Sequence, residues 1–130
     1  QMEYLPNVAA AYEGRASVHS RKGDSASAIS DFKKAIEVNP HEASAYYNRG
    51  KELQKLGDYE AALSDFSKSL ELRPKNPFAY LERGATLVLM GKDDEAQKDF
   101  DECVKINPKM QTIVETRRAR VKKDAEKKTP

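Results

Sequence analysis

The chain has 130 residues, of which 38% are apolar and 34% charged, and its formal net charge is +2. This length suits one domain with one core. No apolar run approaches the roughly 18 residues that a membrane-spanning helix needs. The sequence also lacks the basic start followed by an apolar stretch that marks a secretory signal. The single cysteine, Cys103, cannot form an internal disulfide, so we expect a reducing compartment, the cytoplasm or alternatively the nucleus.

The most informative feature of the sequence is a period of 34 residues. Periods of this length are typical of repeat proteins, and this one divides the chain into three units, at about 9–42, 43–76 and 77–110. Six sets of positions share the period: prolines, glycines, phenylalanines, tyrosines, alanines and a set of small residues. They are Pro6, Pro40, Pro74 and Pro108; Gly23, Gly57 and Gly91; Phe32, Phe66 and Phe100; Tyr12, Tyr46 and Tyr80; Ala28, Ala62 and Ala96; and Ala16, Gly50 and Gly84.

The segment 1–6 aligns in this register with 35–40 and 69–74, which predicts the last turn of a preceding repeat's second helix. Within each unit the pattern predicts a helix, a turn and a second helix. In the middle unit the first helix should end near Gly57 and the second should begin at the cap Asp58. Pro74 should stop the second helix because proline cannot continue it. Gly50 is expected to let the two helices approach closely.

Residues 111–130 begin like another first helix, but Arg118 stands where the other units have a small residue. They predict a capping helix that covers the last unit, with Ile113, Val114 and Val121 facing it. From Arg117 onward there are seven basic residues and two acidic ones, a basic tail of charge +5, whereas residues 1–116 carry −3.

The segment 46–74, YYNRGKELQKLGDYEAALSDFSKSLELRP, resembles the tetratricopeptide repeat (TPR), and the resemblance extends over residues 7–110. It implies an all-α fold, a right-handed α-solenoid of antiparallel helix pairs, with the first helix of each pair lining a concave face. The first unit departs mildly, since His19 and Lys22 replace apolar residues of the other units.

No catalytic or metal-binding constellation is present, so we predict no enzyme activity, no cofactor and no small-molecule substrate. Cys103 falls in a column of small core residues and His19 in a core column, while His41 follows a helix-ending proline. No two His or Cys residues have metal-ligand spacing.

Some members of the family that this sequence resembles bind the C-terminus of cytosolic heat-shock chaperones through a carboxylate clamp. That clamp needs lysines, asparagines and an arginine, whereas the corresponding residues here are Glu13, Ser17, Asn48, Phe78 and Glu82. Only Asn48 matches, so clamp-type chaperone binding is not expected.

The resemblance therefore implies a protein-interaction scaffold that binds a peptide or helical segment of a partner in the concave groove. The residues predicted to contact the partner are Arg21, Tyr47, Asn48, Lys51, Lys55, Phe78, Leu81, Glu82, Ala85 and Leu89.

Three alternatives stay open. The capping helix could cover Leu81 and Leu89. The chain could be a self-association module that forms a homo-oligomer. The basic tail could contact nucleic acid or an anionic membrane, although it lacks aromatic residues that would stack on bases.

Overall fold

Each 34-residue unit folds into two helices joined by a tight turn. The computed structural model describes residues 6–127. The segment 1–5 lies outside this range, so its assignment to a preceding helix stays a prediction, whereas Pro6 begins the first helix. The described residues form α1 (Pro6–Arg21), α2 (Ser25–Val38), α3 (Ala43–Leu56), α4 (Tyr59–Leu72), α5 (Pro77–Leu89), α6 (Asp93–Ile106), a 3-10 turn (Pro108–Met110) and α7 (Gln111–Lys127).

The helix ends in the middle of the chain follow the sequence signals. Gly57 adopts the left-handed conformation, with φ of 85°, directly after α3, which glycine does without steric penalty. The Asp58 carboxylate accepts a hydrogen bond from the N–H three residues later and caps α4. The Asn76 side chain caps α5 by accepting a hydrogen bond from a backbone N–H, with Pro77 as the first residue of that helix. The predicted boundaries at Gly57 and Asp58 are confirmed.

The core of each unit is a phenylalanine ring packed against the first helix. Phe66 and Phe100 are fully buried. A Cβ atom added to Gly50 would lie 2.8 Å from Cε1 of Phe66, and one added to Gly84 would lie 2.7 Å from Cε1 of Phe100. The small residue is therefore needed because an aromatic ring lies directly on the helix backbone.

The helices stack in chain order into a helical solenoid. Helices α1, α3 and α5 each pair with the helix that follows them, α2 packs against α3, and α4 packs against α5. Helix α7 lies mainly against α5, as a cap should. None of the helices within residues 6–127 is long and apolar enough to cross a lipid bilayer.

Candidate functional site

Three arginine–aspartate pairs, one in each unit, join the first helix to the second. In the middle unit Arg49 donates from Nε and NH2 to the two carboxylate oxygens of Asp65, at 2.7 and 2.8 Å. The same bidentate geometry recurs in the other units, in the pairs Arg15–Asp31 and Arg83–Asp99. Each guanidinium also lies 5.5–5.8 Å from the centre of a tyrosine ring of the same helix. Sequence reasoning missed these pairs, although both partners recur with the 34-residue period.

These pairs hold the inner helices in place as ionised groups. Hydrogen bonds from Arg15 lower the pKa of Asp31, and hydrogen bonding to Asp65 raises the pKa of Arg49. His19, expected in a core column, is half-buried, with Nε2 lying 3.7 Å from Asp31. Each pair therefore ties the first helix of its unit to the second.

Four of the predicted binding residues meet in a cleft between α1 and α3. This α1–α3 cleft has a volume of about 180 Å³. Arg21 and Lys55 are exposed, whereas Asn48 and Lys51 are half-buried. The lining that concerns the site is Ser17, Arg21, Asn48, Lys51 and Lys55.

The floor of this cleft carries a buried carboxylate, Glu52. It accepts hydrogen bonds from Ser20 at 2.7 Å, from Ser25 at 2.9 Å and from Lys55 Nζ at 3.1 Å. Burial alone would raise the pKa of Glu52, but the bonds from Ser20, Lys55 and Ser25 outweigh it, so the pKa is lowered. Glu52 thus stays ionised and holds Lys55 at the rim of the cleft.

Two aromatic residues predicted as anchors differ in their exposure. Tyr47 packs on Phe66 with ring centres 5.9 Å apart, and Lys51 Nζ lies 5.5 Å from the centre of the Tyr47 ring. Burial, together with the negative charge of Glu82, raises the pKa of the Tyr47 hydroxyl, so this group remains a neutral hydrogen-bonding group. Phe78, at the start of α5, is 49% exposed.

Helix α7 covers part of the predicted site. Leu81 and Ala85 are 4% and 0% exposed and share one core cluster with Val114 and Val121 of α7. Glu82 is buried as well. These three residues do not line an open groove, because α5 is apolar on two faces and α7 occupies one of them. The prediction that Leu81, Glu82 and Ala85 contact a partner in the groove is therefore corrected, because they are buried under α7.

The packing of α7 differs from the sequence expectation at one residue. Val114 and Val121 are buried and face the third unit as predicted. The prediction that Ile113 also faces it was wrong, because Ile113 is 46% exposed. In addition, Arg117 NH2 donates to Gln54 Oε1 at 2.8 Å and to Glu82 Oε1 at 3.0 Å. One side chain of the cap therefore contacts both α3 and α5.

A second cleft opens between α3 and α7, next to the first. This α3–α7 cleft has a volume of about 460 Å³. It includes Leu89, which is half-buried and packs against the core cluster that contains Val114 and Val121 of α7, and it shares Lys51 and Lys55 with the α1–α3 cleft. The lining that concerns the site is Lys51, Lys55, Leu89, Arg120, Val121 and Lys127.

Cys103 and His41, which could suggest covalent or metal chemistry, lie outside both clefts. Cys103 is fully buried among apolar side chains, and this burial raises the pKa of its thiol. His41 is exposed in the turn before α3. In the part of the chain that the structure describes, no group of three His, Cys, Asp or Glu side chains could hold a metal ion.

Comparisons with known proteins agree with the repeat pattern. Models of the tetratricopeptide repeat family match residues 9–42, 43–76 and 66–98. No curated protein matches the sequence.

Solved structures share the fold. The first TPR domain of Spaghetti (RPAP3), bound to the HSP90 peptide SRMEEVD, is 19% identical with a TM-score of 0.86, over 95% of this chain and 98% of that one. The Arabidopsis OM64 TPR domain is 23% identical with a TM-score of 0.82, over 91% and 97% of the two chains. MamA is 27% identical with a TM-score of 0.73, over 80% of this chain and 57% of its own.

Proposed function

Because the chain belongs to the tetratricopeptide repeat family, whose members serve as protein-interaction modules, we propose that it binds a peptide or helical segment of a partner protein in the groove along α1, α3 and α5. The observation that carries this proposal is the continuity of two clefts. The α1–α3 cleft and the α3–α7 cleft share Lys51 and Lys55, so one extended segment could contact both.

The cations of the two clefts, together with Tyr47 and Phe78, which line neither cleft, favour a partner with apolar residues and some negative charge. Phe78 presents half of its surface to solvent, and the Tyr47 ring on α3 carries the Lys51 ammonium over its face. Arg21 and Lys55 add exposed positive charge. Aromatic anchors beside cations are typical of the residues that contribute most to binding energy. A peptide ligand is consistent with the similarly folded TPR domain that is bound to a peptide.

We propose that recognition does not use a carboxylate clamp. Glu13, in one clamp position, accepts a hydrogen bond from Ser44 at 2.9 Å. Glu82, in another, is held by Arg117. Both side chains carry the wrong charge for a terminal carboxylate, and Phe78 in a third position cannot donate a hydrogen bond.

The experiment is a selection of binding peptides from a displayed library on the parent protein, followed by affinity measurements on variants. Tyr47→Ala and Phe78→Ala should each weaken binding of the selected peptides by about 1 kcal/mol or more. Lys51→Glu should mainly slow association, because it changes the charge at the rim. Leu56→Ala, at an apolar side chain that is 58% exposed outside both clefts, is the matched control and should bind like the parent. Circular dichroism should show an unchanged fold. Selected peptides that bind all four variants equally well would contradict the groove proposal.

A second candidate function is self-association through α1. Val8 and Val18 are each 39% exposed on this helix, whereas Glu52, the residue of α3 that corresponds to Val18 in the 34-residue register, is buried. Exposed apolar side chains on a helix are suited to contact with a second neighbour. Sedimentation analysis of the parent and of Val8→Ser/Val18→Ser tests this: a dimer that the double substitution dissociates supports self-association, and a monomeric parent at high concentration refutes it.

A further inference from the structure

The α3–α7 cleft combines positive charge from two separate parts of the sequence. Lys51 and Lys55 come from α3, whereas Arg120 and Lys127 come from the basic tail in α7. The sequence suggested a groove and, separately, a basic tail. Because α7 packs along α5, the tail forms one wall of the groove.

The charge in this cleft is only partly balanced within the protein. Lys55 is paired with Glu52 at 3.1 Å, and Arg117 at the base of the cleft is paired with Glu82. No ion pair found within residues 6–127 engages Lys51, Arg120 or Lys127. Asp124 is the one acidic side chain in the lining, so the cleft keeps an excess of positive charge.

The lining of the cleft also contains two aliphatic side chains. Leu89 is half-buried and keeps some exposed surface, whereas Val121 is only 1% exposed. An aliphatic side chain placed on Leu89 would bury apolar surface, while carboxylates on either side of it could reach Arg120 and Lys127. A carboxylate bound by arginine forms a strong charge-assisted hydrogen bond.

We propose that the α3–α7 cleft binds an acidic segment of a partner protein, with an aliphatic residue against Leu89 and carboxylates on Lys51, Arg120 and Lys127. This inference rests on the proposed groove function and adds the cap helix to the binding site. A nucleic acid is less suited to this cleft, since single strands bind by stacking successive bases on several aromatic side chains, whereas Tyr59 is the one aromatic residue in the lining.

The test uses the full chain and a fluorescein-labelled peptide, EDELEDE, blocked at both ends so that no terminal carboxylate takes part. Fluorescence anisotropy should show binding that weakens as salt is added, because the contacts are charged. The neutral analogue QNQLQNQ should bind at least about tenfold more weakly, the loss expected for one charged hydrogen bond.

Two variants locate the site. Arg120→Glu/Lys127→Glu should weaken binding of the acidic peptide by about tenfold or more. Arg120→Gln/Lys127→Gln should weaken it less, because glutamine removes the positive charges without adding negative ones. Lys98→Glu/Lys105→Glu, at exposed positions of α6, makes the same charge change outside the cleft and should bind like the parent. Circular dichroism on each variant controls for a disturbed α7.

Several results would overturn the proposal. They are equal binding of the acidic and neutral peptides, unchanged binding by the cleft variants, or tighter binding of a single-stranded oligonucleotide or of anionic lipid vesicles than of the acidic peptide. If library-selected peptides still depend on Phe78 and Tyr47 in that case, the groove function stands and the cleft assignment alone fails. If neither dependence is seen, both proposals fail.

Discussion

Replacing Gly14 and Gly50 by alanine should affect the stability of this protein differently. Alanine in a helix interior is favoured over glycine by about 1 kcal/mol. At Gly14, in α1, nothing lies within 4 Å of the added Cβ, so Gly14→Ala should raise the free energy of unfolding by about that amount. At Gly50 the added Cβ would lie 2.8 Å from Cε1 and 3.0 Å from Cδ1 of Phe66, a ring that is fully buried and cannot move into solvent.

Overpacking of this kind costs about 1–3 kcal/mol, which offsets or exceeds the helix gain. Gly50→Ala should therefore leave the free energy of unfolding unchanged or lower it by up to about 2 kcal/mol. Gly84→Ala should behave in the same way, since its Cβ would lie 2.7 Å from the ring of Phe100. Because a middle unit cannot be bypassed in a stack of repeats, the loss should appear in the unfolding of the whole chain.

Urea denaturation followed by circular dichroism measures these differences. The double variant Gly50→Ala/Phe66→Leu supplies the second test, because leucine lacks the ring atoms that the new methyl group meets. The double-mutant cycle should show that Gly50→Ala is less harmful in the Phe66→Leu background than in the parent, where the ring is present. If Gly50→Ala stabilises the protein as much as Gly14→Ala does, the close contact between ring and backbone is not the reason for glycine at these positions.

Three further predictions concern the charged pairs and the buried thiol. Arg49→Ala should lower the free energy of unfolding by about 3 kcal/mol, because it leaves the buried Asp65 carboxylate unpaired; urea denaturation checks this. Arg15 lowers the pKa of Asp31 in the folded chain. The ionised pair therefore stabilises the fold at pH values above the ordinary aspartate pKa of about 3.9, and this stabilisation is lost as the pH falls through the lower pKa of the folded state. Melting temperatures between pH 6 and 2 should show this loss, and Asp31→Asn should reduce it. Cys103 is buried and its thiol pKa is raised, so a thiol reagent should modify it only after urea unfolds the chain; rapid modification of the native protein would contradict this burial.

The local elements of this fold could be predicted because they depend on residues close together in the sequence. The left-handed turn at Gly57 and the cap at Asn76 require particular residue types at particular positions. The arginine–aspartate pairs were also visible in principle, since Arg49 and Asp65 recur with the 34-residue period. They were overlooked because charged residues on helices usually face solvent.

The position of α7 could not be derived in the same manner. Ile113 and Val114 are adjacent, so their side chains point about 100° apart around the helix, and only the docking angle against α5 decides which one is buried. The same docking decides whether Leu81 faces a partner or the cap, because a helix that is apolar on two faces accepts two neighbours. Such long-range choices are not encoded in the local pattern.

The contact that Arg117 makes with both Gln54 and Glu82 determines which two units this cap can close. In the 34-residue register, the residue corresponding to Gln54 in the third unit is Val88. If the third unit were duplicated, α7 would still find a glutamate on the neighbouring helix, but one helix further away it would meet a valine that cannot accept a hydrogen bond. The cap is thus matched to the last two units, and inserting or exchanging a unit directly before the cap would require a new one.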